Sequence, residues 1–255
     1  MFHTNLVYYL LKKEIKSVYV GSTLGALWII LRPLLIVVVF WLVFSEIMKV
    51  RPHASTGNTN YIFFLLSTIF FWFGFQESMI RSSVAVIEKG EIVKKVSMPI
   101  EVLPVVSILV SYFNHLIGVF IFIAVVIFLY DPSVMWLLVI PITGLLVLFS
   151  MGLGFLFSAL SVYVRDIPQI LNIVLQGMFF LTPIVYPLEI VPEKLKFLFY
   201  INPLTYFIKT YQDIIIYRAF PNYLYLTLII VLSIASLLIG LKTFKKLKEG
   251  FADIL

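Results

Sequence analysis

The sequence predicts an all-α integral membrane protein. It should have six transmembrane helices, an amphipathic helix near its start, and two short re-entrant helices between the fifth and sixth spans. Three observations carry that prediction. Of 255 residues, 62% are apolar and 13% charged, and the mean hydropathy is +1.06. A soluble domain is about a quarter charged, and one of this size could not hide so much apolar surface. Six runs reach the ~20 apolar residues that a helix needs to cross a bilayer core. The basic residues also divide unevenly between the two sides that six spans define. A water-soluble enzyme and a disordered chain are thereby excluded. Cysteine is absent, so there is no disulfide framework, thiol nucleophile or thiolate metal site.

The spans are read at Leu27–Met48, Tyr61–Ile80, Val102–Tyr130, Trp136–Tyr163, Ile167–Val185 and Tyr223–Leu241. The third and fourth exceed the minimum and must tilt, kink or extend past the lipid. Pro104 and Pro141 stand near their starts, where proline is tolerated. With an even number of spans both chain ends lie on one side. That side carries 13 of the 19 basic residues, among them Lys12, Lys13, Lys16, Arg32, Arg81, Lys89, Lys94, Lys95 and Arg165. The positive-inside rule makes it cytoplasmic. The charges at Lys12, Lys13, Glu14 and Lys16 do not fit a signal peptide. Without a repeat or a linker, residues 1–255 read as one domain.

Three pieces are not simple spans. In residues 1–20, Val7, Leu10, Leu11, Ile15 and Val18 form an apolar stripe opposite Lys12, Lys13 and Lys16. Such a helix is expected in the cytoplasmic interface. Residues 81–100 mix Glu88, Lys89, Glu91, Lys94 and Lys95, either as a solvated loop or as a short docking helix, for which mixed charge supplies register. In the turn between the fourth and fifth spans, Asp166 is placed to cap the next helix, with Pro168 in its first turn. Beyond the fifth span, Pro183, Pro187, Pro192 and Pro203 break residues 181–220 into pieces too short to cross. Two short helices should dip back there. Non-helical backbone at membrane depth is tolerated only where protein or a water-filled cavity satisfies it, so the segment should line or plug an exit.

The residues of common catalytic sites are missing. There is no phosphate-binding P-loop, no His-Glu-x-x-His and no Gly-x-Ser-x-Gly. His115, beside Asn114 within the third span, is expected to make an interhelical hydrogen bond. Glu46, Glu77 and Glu101 fall near span ends, so a proton- or sodium-coupled carrier is not favoured. The aromatic load is high, with 24 Phe, 14 Tyr and 4 Trp. Trp28, Trp41, Phe70, Phe71, Trp72, Phe73, Phe75, Phe179 and Phe180 could face sugar rings, although packing explains each one more simply.

Several stretches resemble type-2 ABC exporter permeases. They are YVGSTLGALWIILRPLLIVVVFWLVF (19–44), IVKKVSMPIEVLPV (92–105), VYVRDIPQI (162–170) and, most specifically, LTPIVYPLEIVPEKLKFLFYINPLTYFI (181–208). The last resembles the polysaccharide-exporting branch, which includes the membrane subunits of lipid-linked O-antigen exporters. The resemblance implies a homodimer in the bacterial inner membrane with both chain ends cytoplasmic. It implies two separate ATPase subunits that hold ATP and magnesium, no cofactor on this chain and no nucleic acid partner. The cargo would be a glycan on a polyprenyl-diphosphate lipid. Lys12, Lys16, Glu88, Lys89, Glu91, Lys94 and Lys95 would meet the ATPase. The first and fifth spans would line the channel, with Trp28, Arg32, Trp41, Phe179 and Phe180 as candidate cargo contacts. The external helices at about 185–206, with Tyr186, Pro187, Pro192, Tyr200, Asn202 and Pro203, would form a gate. The same pattern suits capsule and teichoic-acid exporters. A small-molecule exporter, a membrane enzyme acting on lipid-linked sugars and a self-sufficient channel are the competing classes.

Overall fold

The computed structural model describes residues 4–17, 24–49, 61–91, 98–129 and 133–255. All regular structure among them is helical. The α-helices are α1 (Thr4–Ser17), α2 (Trp28–Phe40), α3 (Tyr61–Glu88), α4 (Val102–Leu129) and α5 (Val139–Tyr163). They continue as α6 (Ile167–Phe180), α7 (Lys196–Ile201), α8 (Pro203–Ile215), α9 (Tyr223–Leu247) and α10 (Phe251–Ile254). Past Phe40 the α2 helix widens into a π-helical stretch, Trp41–Ile47. The Met48 N–H closes it on the Val43 carbonyl, five residues back, at 2.8 Å.

Four helical stretches are long and apolar enough to cross a bilayer: Tyr61–Glu88, Val102–Phe120, Val134–Tyr163 and Tyr223–Gly250. The other two expected spans are shorter apolar helices. The fifth ends at Phe180 rather than Val185, and 14 residues reach only about 21 Å. Pro183 stops it, having no N–H to give and holding Thr182 away from helical backbone. The second runs past Ile80 to Glu88, so the first part of the 81–100 region is helix. Ser82, Ser83, Ala85 and Val86 are buried there. Asp166 stands at the N-cap of α6 but makes no capping bond. Its backbone is already α-helical, whereas a capping side chain reaches back from extended backbone.

Helix α3 is the centre of the bundle, packed against α4, α5, α6 and α8. Phe63, Phe64, Phe70, Phe71, Trp72 and Phe75 on it are all buried. Phe71 stacks on Tyr211 of α8 at 3.8 Å between centroids, and Phe75 on Phe149 of α5 at 6.0 Å. Much of the aromatic excess is therefore core. The tightest pairing is between α5 and α9. Gly152 and Gly240 let their backbones touch, and the hydroxyls of Ser233 and Ser236 donate to the carbonyls of Leu145 and Phe149. Small residues and hydroxyl bonds of this kind hold helices together where lipid offers no hydrophobic driving force.

The apolar face of α1 does not simply lie on lipid. Leu6, Val7, Leu10, Leu11 and Ile15 pack on Val102, Val106 and Val110 of α4, while Tyr8 and Tyr9 stay exposed. Val18 lies outside the described residues. The expected interhelical bond of His115 is present: its Nε2 lies 2.8 Å from Glu77 Oε2. Glu77 lies eleven residues before the end of α3, on the side of that helix that meets α4.

Candidate functional site

Three groups of residues draw attention, one at each end of the bundle and one on its flank. The first is the stretch between α6 and α8. It holds two 3-10 turns, Leu188–Ile190 and Glu193–Leu195, and the short α7. Thr182, Pro183, Ile184 and Val185 are nonetheless buried, which demands partners for their backbone. Side chains from three directions supply them. The Phe180 carbonyl accepts from the Tyr186 hydroxyl. The Leu181 carbonyl accepts from Asn202 Nδ2 at 3.1 Å. The Pro183 carbonyl accepts from Gln212 Nε2 and the Val185 carbonyl from the Tyr61 hydroxyl, both at 2.8 Å. The Thr182 carbonyl takes the Ile184 N–H at 2.7 Å.

Asn202 is the hub of this arrangement. Its Nδ2 also donates to Thr182 Oγ1 at 2.7 Å, and its Oδ1 accepts from the Leu204 N–H at 3.0 Å, capping α8. Pro203 follows in the first turn of that helix. Pro187 is buried, Pro192 is exposed and Tyr200 is 41% exposed. The Tyr200 carbonyl accepts from the Tyr206 hydroxyl at 2.6 Å. Residue patterns alone missed Tyr61, Thr182 and Gln212. Gln212 had one legible signal: it is a polar residue on the buried face of an amphipathic helix. At the far end of α8, burial pushes the Asp213 carboxyl above its ordinary range. The Asn222 backbone N–H and Lys209 act the other way.

The second group is on α6. Leu171, Leu175 and Phe179 face the bundle. Phe179 packs on Phe40 and Trp72, so this candidate cargo contact is core. The opposite face exposes Gln169, Asn172 and Gln176, at the three- and four-residue steps of one helical stripe. Gly177 and Phe180 continue it, Phe180 being 56% exposed. Gln176 Nε2 lies 3.4 Å from Asn172 Oδ1. Composition hid this stripe because its amides alternate with Ile, Leu and Val. On α2, Trp28 is 40% exposed and Trp41 partly buried. Arg32 lies on the same helix, one residue before Pro33.

The third group is at the opposite end of the bundle from the first. Glu14 of α1 accepts from Arg81 at 3.1 Å and from Lys89. Arg81 reaches on to Glu77 at 3.4 Å. The chain His115–Glu77–Arg81–Glu14–Lys89 thus ties α4, α3 and α1 together. A pocket of about 160 Å³ opens beside it, lined by Glu14, Arg81, Val84, Glu88, Lys89 and Ser107 among others. Lys89 is held inside this network, whereas Lys12, Glu88 and Glu91 are exposed. Lys94 and Lys95 lie outside the described residues, and Lys16 falls in the last turn of α1. Burial would raise the Glu101 carboxyl at the start of α4, but hydrogen bonds from Lys248 and backbone leave it lowered. Replacing Glu14 with Ala should free α1 from α3, leaving only its apolar contacts with α4. The local cost should be about 2 kcal/mol, since hydrogen bonds between charged groups are the stronger kind. Hydrogen exchange over residues 5–15 should rise severalfold in Glu14→Ala; unchanged exchange would remove Glu14 as the latch.

The ABC-2 type transporter family profile matches residues 5–216, which takes in α1 through α8. The chain belongs to the ABC-2 type transporter family. Relatives of this ABC-2 chain match along nearly all of it. The O-antigen export system permease protein RfbA of Klebsiella pneumoniae is 30% identical over 254 residues, covering 98% of this chain and 95% of the relative. The protein of the same name from Myxococcus xanthus is 26% identical, with the same coverage. The polysialic acid transport protein KpsM of Escherichia coli is 22% identical, covering 93% of this chain and 92% of its own. Membership makes the chain a multi-pass membrane permease subunit of an ABC transporter, which works with an ATPase partner.

Proposed function

We propose that this chain is the membrane-spanning subunit of an ATP-driven exporter. It moves a polyprenyl-diphosphate-linked polysaccharide of the O-antigen type from the cytoplasm to the periplasm. The full-length likeness to O-antigen export permeases carries the reading. The proposed assembly has two copies of the chain and two cytoplasmic ATPase subunits in the inner membrane, with both chain ends cytoplasmic. The shorter apolar helices, α2 with its π-helical continuation and α6 with the segment after it, complete six crossings in each copy.

The structure supports this reading in two ways. Gln176 and Asn172 answer each other only in part, and amides turned outward among Ile170, Ile173 and Val174 would be poorly placed against hydrocarbon. Facing a hydrated lumen, they can exchange hydrogen bonds with passing sugar hydroxyls and hold none of them tightly. The buried segment 182–185 lies just beyond the end of that helix, where a gate would stand. ATP and magnesium belong to the partner subunit.

Two experiments test the proposal. The tagged chain, purified from native membranes in mild detergent, should bring down a P-loop ATPase with measurable activity. Deleting its gene should leave lipid-linked glycan inside the cell. A pure protein without an ATPase, under conditions that preserve known complexes, would return the reading to a channel or membrane enzyme. The similarity to the polysialic acid transport protein keeps a capsule-type glycan as the second reading, and the glycan that accumulates decides between them. Changing Gln169, Asn172 and Gln176 together to Leu should lower surface glycan at least about tenfold, a loss of about 1.4 kcal/mol in the transport step. Protein level and ATPase recovery should stay normal. Export at the wild-type rate in this variant would mean that the stripe does not face the cargo.

A further inference from the structure

The end of α9 and the turns that follow it carry two of the most deeply buried side chains among the described residues. Phe244 and Phe251 are both fully buried. Their rings meet edge-on at 5.6 Å. Phe155 of α5 closes on Phe244 at 5.5 Å, and Tyr163 on Phe251 at 6.2 Å. Around them lie Ala85 and Val86 of α3, Leu103 and Val105 of α4, and Ala159 and Val162 of α5. This is a second apolar cluster, joined to the main aromatic core of the bundle through Met151. It sits under the cytoplasmic face.

Three links radiate from residues 247–255. The Tyr163 hydroxyl, two residues before Arg165, donates to the Leu247 carbonyl at 2.8 Å. Lys248 pairs with Glu101 at the start of α4. Leu255 lies against Gly90 at the tip of α3, close enough that a β-carbon there would touch it at 3.5 Å. The α3 tip, the start of α4 and the α5–α6 turn belong to three different parts of the sequence. One short segment joins them. Around that segment the surface exposes five acidic side chains, Glu88, Glu91, Asp166, Glu249 and Asp253, and the basic Arg165, a charge pattern that gives register at an interface.

We propose that residues 248–255 act as the keystone of the face that receives the ATPase partner, with Phe251 as its positioning residue. This rests on reading the chain as an ATPase-driven permease. Phe251 itself is enclosed and meets no partner. It locks the α3 tip to the α5–α6 turn, so that three cytoplasmic pieces move as one when the partner pushes on any of them. Most of the aromatic core of the bundle lies outside this cluster, so a change at Phe251 acts first on the three pieces it joins.

The test compares wild type, Phe251→Ala, Phe251→Leu, Lys248→Glu and the swap Lys248→Glu with Glu101→Lys, each as the full chain in nanodiscs titrated with the purified ATPase subunit. Phe251→Ala should weaken partner binding about tenfold or more, and Phe251→Leu should restore most of it. Lys248→Glu should weaken it less, with recovery in the swap. Phe251→Leu, Lys248→Glu and the swap should melt close to wild type on their own, and Phe251→Ala should melt lower, as a buried truncation does, while still folding. Normal partner binding by Phe251→Ala overturns the proposal. So does a Phe251→Ala permease that melts far below wild type together with a charge swap that restores nothing, which would make the segment merely structural. A wild type that binds no ATPase in any form overturns the exporter reading as well as this one.

Discussion

Asn202→Ala should be among the most damaging single changes outside the spans. The side chain caps α8 through the Leu204 N–H and holds the Leu181 carbonyl and the Thr182 hydroxyl. Losing a cap costs about 1 kcal/mol. Leaving the part-buried Leu181 carbonyl without its partner costs about 1 kcal/mol more. A total near ~2 kcal/mol is expected, in a non-helical segment with few other supports. Asn202→Asp separates the two roles, since it keeps the acceptor for the cap and loses both donations. Its melting temperature should therefore fall between those of wild type and Asn202→Ala. Limited proteolysis should cut residues 181–203 sooner in both variants, and glycan export should fail in Asn202→Ala. A wild-type melt for Asn202→Ala would show that the segment is held by packing alone.

Adding a side chain where α5 meets α9 should be worse. A β-carbon on Gly240 would fall 1.9 Å from the Gly152 carbonyl oxygen, and one on Gly152 would fall 2.2 Å from the Ser236 carbonyl carbon. The obstacle on each side is backbone, so no rotamer change relieves it. The helices must part, which also pulls the Ser233 and Ser236 hydroxyls off their acceptors. Overpacking typically costs about 1–3 kcal/mol. Gly240→Val should reach or pass the top of that range and leave little folded protein in mild detergent. Gly144, with nothing near its added β-carbon, is the control. Gly144→Ala should be neutral or stabilise by up to about 1 kcal/mol, the helix-propensity difference. Equal melts for Gly240→Val and Gly144→Ala would refute the close-packing account.

Much of the fold was legible because membrane helices obey a composition rule. Four of the six expected runs correspond to long apolar helices, and α1 was visible from its stripe at helical spacing. The ends were read less well. Apolar runs stop where lipid stops, but helices continue while small and polar residues find partners, as Ser82 and Ser83 do beyond Ile80. Hydropathy showed Glu77 near the end of an apolar run, and only the structure showed that it faces His115. At the external segment the four prolines announced broken structure, and the need for satisfied backbone followed from membrane depth. Which groups do the satisfying was not legible. Tyr61 reaches Val185 across 124 positions of sequence, and no local pattern encodes such a pairing.

The sequence by itself determined what kind of solvent this chain lives in, how many apolar runs it offers that solvent and which side carries the positive charge. These follow from transfer free energies that add residue by residue, so they can be read without knowing any contact. Only the tertiary structure decided which aromatics are core and which are exposed. It showed that α6 turns a stripe of amides outward, that Glu14 latches α1 to α3, and that Phe251 closes a second apolar cluster at the end of α9. Each of these depends on which helix face meets which neighbour. That is set by close packing and by pairing of buried polar groups across the whole bundle, and neither is a property of any one segment.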